Sequence, residues 1–230
     1  MKDWEQLEKD LRVSFKNKDL LTNAFVHRSY LNENPSFQLP HNERIEFLGD
    51  AVIELAVTKY LYAKFPDKPE GELTTWRAAL VKASSLAELA KELMFGDYLL
   101  LSRGEAKETG KARDEILSNT LEAFVGALYL DQGFEICEKF IGAHLLPKLD
   151  SIIANKLFQD AKSRFQEVAQ EKMGITPVYK TLEEWGPDHQ KHFKVGAMLG
   201  EETAGEGEGS SKQEAEEAAA KNALKVKRWH

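Results

Sequence analysis

The chain has 230 residues, 42% of them hydrophobic, and a formal net charge of −7. That length holds one large domain or two small ones around a substantial core, and the single cysteine, Cys137, excludes an internal disulfide and a cysteine-rich zinc site. Met1 leads into charged amphipathic sequence and no window reaches the roughly 18 apolar residues of a spanning helix, so the expectation is a cytoplasmic protein without membrane contact.

In chain order, apolar residues recur at spacings of three and four through 4–15, 45–65, 76–93 and 116–130, which predicts an all-α domain. Pro66, Pro69 and Gly71 punctuate one connection, and 102–110 reads as a polar loop. A second style begins near Asp160. A helix over 161–173 is followed by strands at 178–182, 193–199 and about 202–207, then by an alanine-rich helix over 211–226. The third strand carries the weakest signal, because Ala204-Gly-Glu-Gly-Glu-Gly is poor in β-formers. The predicted fold class is therefore two domains: an N-terminal all-α domain over 4–133, with helical packing extending to about 150, and a C-terminal α+β domain of order α-β-β-β-α over 159–228.

Charge is unevenly placed. Residues 1–155 hold 19 Lys+Arg against 25 Asp+Glu, and residues 156–230 hold 12 against 13. A net acidic chain lacks the basic surplus usual for phosphate binding, whereas a local surplus of carboxylates suits a hard divalent cation. On a helix, Glu43, Glu46 and Asp50 fall at steps of three and four and line one face, where like charges repel. Arg44 with solvation, or a bound cation, would offset that repulsion, and spacing alone does not choose between them. Gly49 costs about 1 kcal/mol relative to Ala inside this helix and predicts close approach of another helix. In the apolar segment 116–133, Asn119 and Glu122 also share a face, and a carboxylate so placed must be paired, hydrogen-bonded or metal-bound. Gly126, one turn on, allows a second tight contact.

The run from Asn42 to Ala51, NERIEFLGDA, closely resembles the signature of the bacterial ribonuclease III family, and the Glu122 helix resembles that family's second acidic motif. His27-Arg-Ser-Tyr30, Glu70-Gly-Glu-Leu73 and Arg77-Ala-Ala-Leu-Val81 fall where the family has similar segments, and the tail resembles its double-stranded-RNA-binding domain. The resemblance implies an endoribonuclease that hydrolyses double-stranded RNA, leaves 5′-phosphate and 3′-hydroxyl ends, and processes ribosomal precursors and messengers. It implies Mg²⁺, with Mn²⁺ as a substitute, bound by Glu46, Asp50, Asn119 and Glu122, of which Asp50 and Glu122 are catalytic. Glu43 and Glu70 align with further acidic positions of lesser weight. A homodimer is implied; Phe47 and Leu48, on the signature helix but off its acidic face, are candidate interface residues or, alternatively, fill the core of one chain, and sequence alone does not choose between these. RNA contacts are implied at Gln166 and Glu167, at Pro187 and His189, and at Ser211 and Lys212, where a helix N-terminus and an ammonium would meet a phosphate. The glycine-rich run before Lys212 lacks the Gly-Lys-Ser/Thr order of a nucleotide loop, so no nucleotide cofactor is expected.

Two positions depart from the family. Asn119 stands where Asp is common, which removes a charge from the metal site and opens a second reading, an RNA-binding protein with a weakened or inactive nuclease centre. Lys212 is followed by Gln213 and Glu214 where basic residues usually cluster, which predicts weaker, less salt-sensitive RNA binding.

Overall fold

A computed structural model describes residues 2–155, 160–187 and 190–229. The chain divides into two compact units, Met1–Phe158 and Gln159–His230. Among the described residues no helix is long and apolar enough to cross a membrane.

The first unit is helical: α1 (Trp4–Leu11), α2 (Lys18–Ala24), α3 (Arg28–Glu33), α4 (Glu43–Lys64), α5 (Glu70–Val81), α6 (Ala83–Glu92), α7 (Gly110–Gln132), α8 (Phe134–His144) and α9 (Lys148–Ala154). Helix α7 is the axis of the unit. From Ile116 to Leu128 nearly every residue is buried, the pattern of a helix surrounded by other elements rather than lying on them. Its Phe124 ring lies 5.1 to 6.3 Å from those of Phe15, Phe25, Phe95 and Phe140, which draws α2, α8 and the segments around residues 15 and 95 onto one aromatic centre.

Two expected helices are shorter than their periodicity. The first ends at Leu11 because Arg12 turns left-handed, and the buried Glu8 carboxylate then accepts the Phe15 N–H at 2.6 Å and pairs with Lys18 at 2.6 Å. The pattern over 76–93 is broken at Lys82, whose extended backbone (ψ 146°) separates α5 from α6. Through this bend both helices turn their apolar faces, Trp76, Ala79 and Leu80 on one and Leu86, Leu89 and Ala90 on the other, into the same core. The loop over 102–110 contains a single 3₁₀ turn, Glu105–Lys107.

The second unit runs α10 (Ala161–Met173), β1 (Val178–Trp185), β2 (His192–Leu199), β3 (Glu202–Gly209) and α11 (Lys212–Val226), with an antiparallel sheet of order β1-β2-β3. The order α-β-β-β-α is thus observed, with each strand longer than its sequence signal. The reason β3 forms despite its composition is tertiary. A Cβ on Gly205, Gly207 or Gly209 would lie 2.3, 2.1 or 2.6 Å from the backbone nitrogen of Ala223, Ala219 or Ala215, so alternate glycines of the strand meet every fourth residue of α11 backbone to backbone. Glu206 and Glu208, on the other face, are exposed. Phe165, Val195, Ala197 and Leu199 complete the core under that contact.

Candidate metal centre

Helix α4 starts at a fixed point. Asn42 is buried, its N–H donates to the Val26 carbonyl at 2.9 Å and its Nδ2 to the Ala24 carbonyl at 3.0 Å, which anchors the helix N-terminus to the segment after α2. One and two turns on come Glu46, half-buried, and Asp50, exposed. The crossing with α7 is set by two glycines. A Cβ at Gly49 would stand 1.8 Å from the Glu122 carbonyl oxygen, and one at Gly126 would stand 2.2 Å from the Ile45 carbonyl oxygen. Only glycine lets the backbones touch in this way, and the contact brings the turn bearing Glu46 and Asp50 beside Glu122.

The electrostatics follow from that crossing. Burial pushes the Glu122 carboxyl up to about 8, and repulsion from Asp50 and then Glu46 adds to it. Glu46 is also raised, by burial first, then by Glu43, Asp50 and Glu115. Among the described residues no Lys or Arg forms an ion pair with Glu46, Asp50 or Glu122. Three carboxylates that repel one another, supplied with oxygen donors alone, fit a hard divalent cation. Among the described residues no three Asp, Glu, His or Cys side chains converge closely enough to hold a metal ion by themselves, so other oxygen ligands would have to complete the shell of an ion here.

Asn119 is half-buried on α7, and its Oδ1 accepts from the Ser118 hydroxyl at 3.3 Å. It lines a concavity of about 230 Å³ together with His27, Glu43, Glu46, Glu105 and Glu115, while Asp50 and Glu122 lie outside that lining. His27 is held below the usual histidine range, chiefly by burial, and its Nδ1 accepts from the Ser29 N–H at 3.3 Å. Glu43 is drawn aside by Arg28 and His41, each at 3.7 Å, rather than by the adjacent Arg44. Glu70 begins α5, accepts from the Thr74 hydroxyl at 3.0 Å and borders a different, apolar concavity with Tyr62, Phe65 and Arg77, so it is not brought to the acidic cleft. Phe47 is 83% exposed, whereas Leu48 packs against the core. Glu105 and Glu115 are cleft residues that spacing within the signature does not reveal. Glu115 carries one visible signal, its place one turn before Asn119.

In the second unit Gln166 and Glu167 are exposed on α10, and Pro187 is exposed after β1. His189 lies outside the described residues. Ser211 caps α11 by accepting the Glu214 N–H at 3.1 Å, and the Glu214 carboxylate accepts the Ser210 N–H at 3.0 Å and its hydroxyl at 2.6 Å. One N–H of the helix's first turn is therefore taken by the Ser211 hydroxyl, and the Glu214 carboxylate lies against Ser210 just before the helix start. Lys212 is exposed, with its ammonium 5.7 Å from the Phe193 ring centre. Other cations of this unit are held by carboxylates: Lys162 by Glu216 at 2.6 Å, Lys194 by Glu206 at 2.9 Å, and Lys191 by Glu184.

Comparison with known proteins gives this geometry its context. The ribonuclease-III-like family model matches residues 17–149, and the double-stranded RNA binding motif matches residues 161–227. The chain is 47% identical over 222 residues to a protein named Ribonuclease 3 from Oceanobacillus iheyensis, covering 96% of this chain and 97% of the relative. A Ribonuclease 3 from Geobacillus thermodenitrificans is 44% identical, covering 98% and 91%. Two structures of the nuclease domain of ribonuclease III from Campylobacter jejuni superpose with a TM-score of 0.57. They are 41% and 42% identical, cover 62% and 63% of this chain and 96% and 95% of theirs, and one describes flexibility in a region involved in dimer formation. A helical unit built around two acidic helices that touch through glycines, followed by a double-stranded RNA binding motif, places this chain in the ribonuclease III family, to which it belongs.

Proposed function

We propose that this protein is an endoribonuclease that hydrolyses phosphodiester bonds of double-stranded RNA with Mg²⁺, for which Mn²⁺ can substitute. The observation that carries the reading is the α4–α7 crossing, which sets Glu46 and Asp50 against Glu122 and leaves Glu122 pushed up to about 8. Glu46, Asp50 and Glu122 would hold the ion, with Asn119 Oδ1 as a neutral oxygen donor. When bound, the ion supplies an acidified water for attack on the phosphorus and charge to balance the phosphate oxygens. Glu122, which retains its proton near neutral pH in the metal-free cleft, must release it as a cation replaces the repulsion. The products carry 5′-phosphate and 3′-hydroxyl ends.

Residues 4–133, with the helices to about 150, form the catalytic domain, and residues 159–228 form the RNA-holding domain. There Gln166, Glu167, Pro187, His189, Ser211 and Lys212 meet the duplex, chiefly by shape. Two copies pair through Phe47, and the dimer acts in the cytoplasm on ribosomal precursors and messengers. A binding-only protein, idle because Asn119 is neutral, is disfavoured by the intact Glu46, Asp50 and Glu122 set. The test is cleavage of a long RNA duplex across a Mg²⁺ titration, with and without Asn119→Asp. The proposal expects cutting by both, and it fails if neither cuts at any concentration.

A further inference from the structure

Asn119 removes a charge from a site that binds a dication, yet the same helix carries an acid one turn earlier. Glu115 and Asn119 are four residues apart on α7, so they share a face about 6 Å apart along the axis. Both line the concavity that also contains Glu46, and Glu115 is near enough to Glu46 to raise its carboxyl. Its neighbours are committed elsewhere. Asp114 pairs with Lys91 at 2.5 Å, and Arg113 reaches the Gly96 carbonyl at 3.3 Å. Among the described residues Glu115 forms no ion pair, and it is exposed, so folding does not explain its charge.

We infer that Glu115 supplies to the cation cleft the negative charge that position 119 lacks. The assignment rests on the metal-dependent reading given above. One turn from Asn119, and longer than Asp by a methylene, Glu115 acts through charge and through hydrogen bonds from waters around the ion. It is a positioning residue and does not touch the reacting atoms. A neutral amide contributes an oxygen but no charge, whereas a carboxylate at either position draws the dication into the same cleft. The two positions are therefore alternatives, and their effects on metal binding are not additive.

The test is Mn²⁺ affinity of the full chain, read from the electron paramagnetic resonance signal of the free ion, for the unaltered protein, Glu115→Gln, Asn119→Asp and the double variant. Glu115→Gln is expected to weaken binding about tenfold, of the size seen when groups around metal ligands are removed. Adding Asn119→Asp to Glu115→Gln is expected to restore the original affinity. The inference is overturned if Glu115→Gln binds Mn²⁺ as the unaltered chain does, or if Asn119→Asp fails to rescue it. Glu122→Gln separates the two ideas. If Glu122→Gln and Glu115→Gln both leave Mn²⁺ affinity unchanged, the metal centre is wrong, whereas loss in Glu122→Gln alone leaves the centre standing and removes only Glu115.

Discussion

Replacing Glu122 by Gln tests the strained metal-free cleft through stability rather than activity. In the unfolded chain this carboxyl ionises near 4.5, and in the folded cleft near 8, because of burial and the facing Asp50 and Glu46. Between those pH values the folded state keeps a proton that the unfolded state has lost. The resulting stabilisation is full below about pH 4.5, declines as pH rises, and is gone above about pH 8. Fully expressed, a change of that size corresponds to about 5 kcal/mol. The side chain is only partly buried and solvent screens the repulsion, so about 2 kcal/mol is the expected share. Glutamine has the same shape and no proton to lose. Without metal, Glu122→Gln should melt with the unaltered protein at pH 5 and about 4–8 °C above it at pH 8.5, by scanning calorimetry of the full chain. Adding 10 mM Mg²⁺ at pH 8.5 should raise the unaltered protein and leave the variant in place, because only a binding-competent native state gains from the ligand. A variant that melts lower than the unaltered protein at pH 8.5 without metal would mean that the Glu122 carboxylate is not repelled in the folded cleft.

Gly126→Ala places a methyl group 2.2 Å from the Ile45 carbonyl oxygen, and should cost 3 kcal/mol or more in urea unfolding; that is about the upper end of ordinary overpacking. Gly71→Ala, with nothing within 4 Å of the added Cβ, should instead be neutral or stabilising by up to about 1 kcal/mol. Phe47→Asp, at a side chain 83% exposed, should yield a monomer by gel filtration at two protein concentrations while far-ultraviolet circular dichroism is unchanged; a persisting dimer would assign the interface elsewhere. Lys212→Gln should weaken duplex binding equally across sequences and lower the salt slope by about 1.

The helices that carry the site are legible in sequence because their signals are local. Apolar spacing of three and four marks α4 and α7, and Gly49 and Gly126 announce a contact that the structure places at Glu122 and Ile45. The break at Lys82 is not legible. No Gly or Pro marks it, and apolar spacing runs through the bend because both helices face one core. Strand β3 is weakly legible for the opposite reason: its glycines lower local propensity but are what α11 requires of it. Within the site, Glu46, Asp50 and Glu122 are readable from helical faces, but the partners of Glu43 are not, since Arg28 and His41 belong to segments before α4. Likewise, nothing in the order of residues says that Glu105 and His27 border the same cleft as Asn119.

The central claim is that carboxylates on α4 and α7 together cut duplex RNA. Its most direct test is one cleavage assay in Mg²⁺ on a long perfect duplex, with the unaltered chain beside Glu122→Gln and with product ends identified. Cutting by the unaltered chain is expected, with 5′-phosphate and 3′-hydroxyl ends. Glu122→Gln should lose at least about 100-fold in rate, since one electrostatic contact to the transition state is commonly worth that much, with duplex binding retained. Equal cutting by the two proteins, or none by the unaltered chain at any Mg²⁺ concentration, would contradict the claim.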